Sequence, residues 1–270
     1  MADEKADLTA VTDRTLALLW RRTLGEPKGS RGPRQRVGVD EVVRAAVALA
    51  DTEGIAALSM RRVAERLGLG SMSLYTYVPG RNELVGLMID DVMGEAPLPA
   101  HEGSLRERLD GVARQLWEEH HRHPWLLDVE SHRPWIGPNG SDRYEWQLSA
   151  IEGEGLDDVE MDQTITLVVG FVGAASRAAV RAARARETSG ISDAQWWEIN
   201  APVLERVMEP GRYPVSERVG TTAGQTYDSI ADPVRAFEFG LARTLDGIEL
   251  YVRSRADAAA SGPAATPSRS

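Results

Sequence analysis

Cysteine is absent from the chain of 270 residues, and long hydrophobic runs are absent as well. Without cysteine there is no disulfide framework, no thiolate nucleophile and no Cys-ligated metal. The longest apolar run, "ITLVVGFVGAA" from Ile165 to Ala175, is well short of the ~20 residues that a membrane span requires. The amino terminus, "MADEKADLTA", has no apolar core of the signal-peptide type. We therefore expect a cytoplasmic protein without a membrane partner.

Motifs that carry catalysis are also missing. The sequence has no P-loop, no GxGxxG fingerprint and no GxSxG elbow, and its carboxylates form no convincing inward pair. His120, His121 and His123 lie close together before Pro124, which raises the alternative of a zinc site. Their i, i+1, i+3 spacing fits one helix face poorly, whereas cationic side chains suit the C-terminal end of a helix dipole. We expect no catalytic residue, no metal and no cofactor.

The net charge of −10 argues at first against a nucleic-acid partner. The distribution of charge reverses that argument. Residues 20–81 carry 11 Lys and Arg against 6 Asp and Glu, a balance of +5 that leaves −15 for the remainder. A basic N-terminal third on an acidic body indicates that one end of the molecule meets a polyanion.

Helical periodicity begins at residue 40, where apolar residues recur at helical spacing up to a stop at Gly54. Ser59 is a good N-cap for a second helix, Met60 to Leu67, and Gly68 lies at its C-cap position. Two residues later comes the segment "SMSLYTYVPGR", Ser71 to Arg81. A short helix, a tight connection and another short segment are typical of a helix-turn-helix.

The segment "SMSLYTYVPGR" admits two structures, a half-buried strand or about one and a half turns of helix. A strand would have no partner, because the surrounding segments are helical. As a helix, the segment turns Leu74 and Val78 inward at i and i+4 and ends at Pro79-Gly80. Its outer faces then carry small polar and aromatic side chains. We predict a recognition helix, followed by a further helix from Arg81.

The rest of the chain also reads as helical, so the predicted fold class is all-α. Helix patterns cover residues 105–121, 142–151, 157–187, 193–208 and 234–255, and the fourth of these is expected to kink or break near Pro202. The tail from residue 256 is rich in Ala, Ser and Pro, and we expect it to be disordered. No strand or internal repeat is evident.

The stretches "VDEVVRAAVALADTEG", "LSMRRVAERLGLGSMSLYTYVPGR" and "NELVGLMIDDVM" resemble the TetR family of bacterial transcriptional repressors. The resemblance implies DNA contacts from Arg61 in the second helix and Arg81 after the turn, which suit phosphates. In the third helix it implies contacts from Ser71, Met72, Ser73, Tyr75, Thr76 and Tyr77. Tyrosine hydroxyls donate to phosphate oxygens, whereas the small side chains and methionine meet base edges and thymine methyls. The alternative for the tyrosines is packing on the first helix.

A weaker similarity to the ligand domain of tetracycline repressors rests on "HRP" at 132–134, "WQL" at 146–148 and "FEFGL" at 237–241. It implies a homodimer whose C-terminal domain also binds a small-molecule inducer. Two histidines of that family, one for the drug's magnesium and one for the drug, align near Val129 and Pro97, so magnesium-tetracycline is not expected. Flat apolar rings beside polar groups suit a pocket, although core packing is the alternative. The predicted ligand-binding residues are Arg133, Trp135, Trp146, Gln147 and Trp117.

Two further predictions concern the dimer and the amino terminus. The helix from residue 157, with Gly170 and Gly173, and the last helix are expected to form an intermolecular four-helix bundle. The alternative is that both pack within one subunit. The last helix would contribute Phe237, Leu241, Leu245 and Ile248. The Gly/Pro-rich basic arm would insert Arg31, Arg34 and Arg36 into an A/T-rich minor groove, or else be a solvated linker.

Together these features predict a ligand-responsive transcriptional repressor. It would bind a pseudo-palindromic operator in double-stranded DNA as a dimer and be released by a small amphipathic inducer, such as an antibiotic or exporter substrate. The predicted parts are a flexible basic arm (1–38), a three-helix DNA-binding domain (39–84), a larger helical ligand-binding and dimerisation domain (85–255) and the tail (256–270). A TetR-type activator, and a helical small-molecule-binding enzyme or carrier with a vestigial DNA-binding domain, stay open as alternatives.

Overall fold

The computed structural model describes residues 2–24, 37–129, 135–209 and 211–260. Within these ranges the regular structure is helical and includes no strand, which confirms the all-α prediction. Two short 3₁₀ helices span Ile55–Ala57 and Pro124–Asp128. The α-helices are α1 (Ala2–Leu19), α2 (Arg21–Leu24), α3 (Val39–Glu53), α4 (Met60–Arg66), α5 (Ser71–Leu74), α6 (Arg81–Met93), α7 (Leu105–Arg122), α8 (Pro138–Ser149), α9 (Asp158–Ser189), α10 (Asp193–Val207), α11 (Pro214–Tyr227) and α12 (Pro233–Ala260).

A first hydrophobic core joins α3, α4, α5 and α6. The apolar stripe of α3, for example Val42 and Val43, is fully buried, as are Leu84 and Met88 on α6. Trp125, from the 3₁₀ helix Pro124–Asp128, is also buried in this core. Because that 3₁₀ helix directly follows α7, the first core also forms the junction between two parts of the molecule, here called the N-terminal half (α1–α6) and the C-terminal half (α7–α12).

A second core lies between α7, α9 and α12. Two of these helices, α7 and α9, begin with a capping box, in which Ser104 and Asp157 each pair with a glutamate three residues later. The buried side chains include Leu109 on α7, Val168 on α9 and Phe237 on α12. By length and composition α9 is apolar enough to cross a membrane, but it is also the central helix of this core, packed against α7 and α12.

The amino terminus differs from the prediction of a flexible arm. Residues 2–24 form α1 and α2, and Thr15, Leu18 and Leu19 are 0, 5 and 2% exposed. The physical reason is the apolar patch "LALLW", which covers the open side of the first core. Arg31, Arg34 and Arg36 lie outside the described residues, so their insertion into DNA stays a prediction, as do the domain limits.

Three further differences concern the C-terminal half. The helix α11 was not predicted, and Pro202 lies inside α10 without ending it. The last helix continues to Ala260, four residues beyond the predicted start of the tail at 256. The remaining tail residues lie outside the described part of the chain. Helices α10 and α11 contain no buried residue, whereas α9 and α12 on either side of them contribute to the second core.

Candidate nucleic-acid interface and ligand cleft

Helices α4 and α5 form the predicted helix-turn-helix. Ser59 caps α4 by accepting a hydrogen bond from the backbone N–H of Arg62 at 3.3 Å. Gly68 adopts a positive φ of 66°, which reverses the chain between the two helices, and the N–H of Leu69 donates to the carbonyl of Ala64 at 2.9 Å. Leu74 and Val78 are fully buried, as the helical interpretation predicted. The opposite side of α5 therefore faces solvent.

The outer face of α5 presents most of the predicted contact residues. Met72 is 76% exposed and Tyr75 is 42% exposed. The exposed side chains on and just after α5 are Ser71, Met72, Ser73, Tyr75 and Thr76. The hydroxyl of Thr76 donates to the carbonyl of Ser73 at 2.6 Å, so this hydroxyl already has a partner within the protein. These small and apolar groups can approach base edges and thymine methyls.

Two predicted contact residues have structural partners instead. Tyr77 is only 7% exposed and packs in the first core, so of the two tyrosines it is the one that packs inward. The Arg81 guanidinium donates to the carbonyls of Leu58 at 3.0 Å and Ile55 at 2.8 Å, where it holds α6 against the 3₁₀ helix Ile55–Ala57. Arg61, in contrast, is exposed, and its one ion pair among the described residues is with Glu65 at 3.6 Å. Its guanidinium is available to phosphate.

Sequence reasoning missed Arg14. This residue lies on α1, and its Nη2 donates to the backbone carbonyls of Tyr75 at 3.1 Å and Thr76 at 2.9 Å. The contacting residues are 61 and 62 positions apart in the sequence, so no local motif could have predicted the contact.

Three of the predicted ligand-binding residues are tryptophans that have packing partners inside the protein. Trp135 lies on α6 at Gly86, where a Cβ atom would overlap its ring. Trp146 stacks on His101 with ring centroids 4.7 Å apart and donates to the carbonyl of Pro99. Trp117 stacks on Phe237 in the second core. These tryptophans pack as the alternative interpretation described. Gln147 is buried, and Arg133 lies outside the described residues.

A cleft of about 700 Å³ lies elsewhere in the C-terminal half, between the end of α7, the 3₁₀ helix Pro124–Asp128 and α9. Leu126, Val129 and Val169 give it apolar walls, and Gly170 and Gly173 leave room along α9. Its charged lining residues are Asp128, Arg177 and Arg181. The lining therefore combines apolar side chains with charged ones, and its two arginines can interact with an acidic group on a small molecule.

His120 is one of the residues that line this cleft. Burial, together with the charges of His121, Arg177 and Arg143, lowers the pKa of His120 to about 4. The imidazole is therefore neutral at physiological pH. Its Nδ1 is buried and has no hydrogen-bond partner in the described structure. This ring can donate to or accept from a ligand without a change of charge.

The junction between the two halves is held by polar contacts around the start of the 3₁₀ helix. His123 Nδ1 lies 2.8 Å from Oδ1 of Asp51 on α3, and its Nε2 lies 3.0 Å from Oε2 of Glu95. Trp125 Nε1 also donates to Asp51, at 2.8 Å. Burial lowers the pKa of His123, but the hydrogen bonds to the two carboxylates outweigh burial, so the net pKa is raised.

The residues predicted for the dimer interface divide into two groups. Phe237, Leu241, Leu245 and Ile248 are between 1 and 5% exposed, because their stripe faces α7 and α9 within the same subunit. These four side chains therefore cannot be the surface that a second subunit contacts. Gly170 and Gly173 are open, since a Cβ atom at either position would meet nothing within 4 Å.

No group of three or more His, Cys, Asp or Glu residues is placed to hold a metal ion within the described ranges. Two of the three histidines near the end of α7 contact other groups of the protein. His121 Nδ1 lies 2.7 Å from the carbonyl of Trp117, and His123 is held by Asp51 and Glu95.

Comparison with known proteins agrees with both halves of this architecture. Residues 42–88 match the family described as "Bacterial regulatory proteins, tetR family". Residues 96–252 match the family described as "Tetracyclin repressor-like, C-terminal domain". The HTH-type transcriptional repressor DrrR1 of Streptomyces coeruleorubidus is 43% identical over 244 residues, which cover 90% of this chain and 87% of that protein.

Solved structures of the Streptomyces coelicolor TetR family protein ActR share the fold. The complex of ActR with (S)-DNPA has a TM-score of 0.62 at 27% identity, covering 80% of this chain and 98% of ActR. The complex with actinorhodin has a TM-score of 0.63 at 28% identity, covering 78% and 95%. These matches and the helix-turn-helix show that the chain belongs to the TetR family and is a transcriptional regulator rather than an enzyme.

Proposed function

We propose that this regulator is a repressor that binds a pseudo-palindromic operator as a homodimer in the cytoplasm and leaves it when a small molecule binds the C-terminal domain. The observation that carries the proposal is the exposed outer face of α5, which presents small and apolar side chains from a rigid core. The likeness to DrrR1, which is named a repressor, supports repression rather than activation.

The proposed DNA contacts follow from exposure. Met72, Ser73 and the Thr76 methyl group reach base edges, while Ser71, Tyr75 and Arg61 contact phosphates. Tyr77 and Arg81 act indirectly, because each holds an element of the helix-turn-helix in position. Arg31, Arg34 and Arg36 stay candidates for the minor groove.

The proposed inducer site is the cleft between α7, the 3₁₀ helix Pro124–Asp128 and α9. Leu126, Val129 and Val169 offer apolar contacts, and Arg177 and Arg181 favour an acidic group on the ligand. ActR, which has the same fold, is solved with (S)-DNPA and with actinorhodin, and this supports a small-molecule ligand here. The cleft adjoins the junction, because Leu126 to Val129 follow His123 and Trp125 directly. An inducer acts only if it binds the non-operator state more tightly.

The proposed dimer uses the outer faces of α9 and α12 rather than the buried stripe. On α9, Leu167 is 53% exposed and lies one turn before Gly170. On α12, Phe239 and Leu250 are 66 and 63% exposed. Apolar side chains beside small residues suit close packing of four helices, two from each subunit. A monomer in sedimentation at micromolar concentration would contradict this arrangement.

A binding selection tests the function. The purified protein is mixed with a random-sequence DNA duplex pool, and the recovered duplex is used in gel-shift titrations at stated salt. We expect a two-fold-symmetric sequence whose half-sites lie about 34–36 Å apart or somewhat more. Arg61→Ala and Tyr75→Ala should each weaken binding, whereas Arg218→Ala, on exposed α11, should not. Failure to recover any preferred duplex, or unchanged binding by both α4–α5 variants, would overturn the proposal.

A further inference from the structure

The recognition helix ends with two backbone carbonyls that have no backbone N–H donor four residues later, as a continuing helix would provide. The carbonyl of Tyr75 would accept from the N–H of residue 79, but that residue is Pro79 and has no N–H. The carbonyl of Thr76 would accept from Gly80, whose extended backbone (φ −169°) already begins α6. Among the backbone hydrogen bonds of this turn, those from Tyr77 and Val78 both go to Leu74.

Arg14 supplies the missing donors. Its Nη2 lies 3.1 Å from the carbonyl oxygen of Tyr75 and 2.9 Å from that of Thr76. The two hydrogens of one guanidinium nitrogen therefore serve both carbonyls. A positive charge at this end of a helix also interacts favourably with its dipole.

The helix that carries Arg14 is itself anchored at several points. Leu18 and Leu19 are buried in the first core, beside α6. On α2, Arg21 forms an ion pair with Asp40 in the first turn of α3. Trp20 Nε1 donates to the carbonyl of Ile136, just before α8, at 3.0 Å. Arg14 therefore reaches the recognition helix from an element that is fixed to both halves of the protein.

We propose that α1 is an integral helix of the DNA-binding domain and that Arg14 is a positioning residue, which fixes the C-terminal end of the recognition helix and thereby sets operator affinity. The proposal rests on the proposed operator binding. In this role Arg14 contacts backbone carbonyls of the protein and not a DNA phosphate.

Two measurements separate these roles, made on full-length Arg14→Ala and the duplex selected by the wild-type protein. A lost phosphate contact makes the negative slope of log K against log salt shallower by roughly 0.9 in each subunit. A positioning residue leaves that slope unchanged while affinity falls. Hydrogen exchange in the free protein gives the second readout, since release of the helix end speeds exchange of amides in residues 71–78 without any DNA present.

We expect Arg14→Ala to bind the duplex about tenfold more weakly with an unchanged salt slope and to exchange faster at residues 71–78. Arg22→Ala is the matched control, since Arg22 is a basic residue of the adjoining α2 whose ion pairs with described residues are long, at 3.4 and 3.9 Å. It should bind within about twofold of wild type. Arg14→Gln removes the charge but keeps an amide donor, and it should recover part of the exchange protection.

Affinity of Arg14→Ala within about twofold of wild type would overturn the inference. Weaker binding with a shallower salt slope and unchanged hydrogen exchange would also overturn it, because Arg14 would then be a phosphate contact. If the wild-type protein selects no duplex, the proposed function fails. The exchange comparison between wild type, Arg14→Ala and Arg22→Ala then still decides whether Arg14 positions the recognition helix.

Discussion

The helices α3–α6 and the helix pair α10–α11 differ in how much of their apolar surface they bury. The first group buries its apolar stripes, so that side chains such as Val43, Leu74 and Met88 are fully inaccessible to solvent. The pair α10–α11 buries none, and Ile199 and Val207 are 63 and 72% exposed. Of these two groups, α3–α6 forms a core inside a single subunit, whereas α10–α11 contributes no buried residue to one.

Local signals do not account for this difference. Ser59 caps α4, and Ser192 makes a complete capping box with Gln195 at the start of α10. Both helices therefore begin equally well. Short helices draw most of their stability from packing an apolar face, so α10 and α11 lack the contribution that holds α4 and α5. Capping defines where a helix starts, but a partner surface decides how firmly it stays folded.

The largest expected effect comes from the recognition helix. Leu74→Ala removes a fully buried side chain and should lower the free energy of unfolding by about 2–5 kcal/mol. Met72→Ala, two residues earlier and 76% exposed, should change it by less than about 0.5 kcal/mol. Urea denaturation followed by circular dichroism measures both. Equal effects would show that the first core does not depend on the inward face of α5.

An intermediate effect is expected at the junction. His123→Gln should lower the free energy of unfolding by about 1–3 kcal/mol, because Asp51 and Glu95 lose a shared partner. The pKa of His123 is raised above its ordinary value of 6.5 in the folded protein. Its contribution is therefore complete below that ordinary value and is lost as the pH rises through the raised value.

The difference between wild type and His123→Gln should accordingly be larger at about pH 6 than at about pH 9. Denaturation at both pH values measures it. A difference that is independent of pH would mean that His123 stays neutral between the two carboxylates. Glu95 also lies 3.9 Å from Arg122, so Arg122→Gln provides a control for charge changes near the same carboxylate.

The smallest effect is expected on α10. Ile199→Ser replaces an exposed side chain and should change the free energy of unfolding by less than about 0.5 kcal/mol. Denaturation at several protein concentrations measures it. A loss of about 2 kcal/mol or more, growing with protein concentration, would show that a second subunit covers this face and would remove the contrast with α3–α6.

The helix-turn-helix could be predicted because its determinants are local. Ser59, Gly68 and Pro79-Gly80 mark the ends of the two short helices, and the spacing of Leu74 and Val78 identifies the inward face. The same reasoning did not reveal the structural partners of Arg81 and Tyr77. An arginine or tyrosine next to a DNA-binding element has the same sequence pattern whether it contacts phosphate or the protein's own carbonyls and core.

The C-terminal site was less predictable, because its parts come from distant segments. The tryptophans drew attention as flat apolar groups, yet Trp117 and Trp135 fill packing space. The cleft instead depends on how the end of α7 and the 3₁₀ helix Pro124–Asp128 lie beside α9. The stripe Phe237 to Ile248 was correctly identified as apolar, but periodicity cannot tell whether α12 turns that stripe toward its own subunit or another.

The sequence by itself determined the helical class, most helix ends and the outer face of the recognition helix, because caps, breakers and apolar spacing act within a few residues. Only the tertiary structure decided that α1 packs on the first core and that Arg14 meets Tyr75 and Thr76. It also placed the cleft beside His120 rather than among the tryptophans. Such contacts join residues far apart in the chain, and their geometry follows from how whole helices pack.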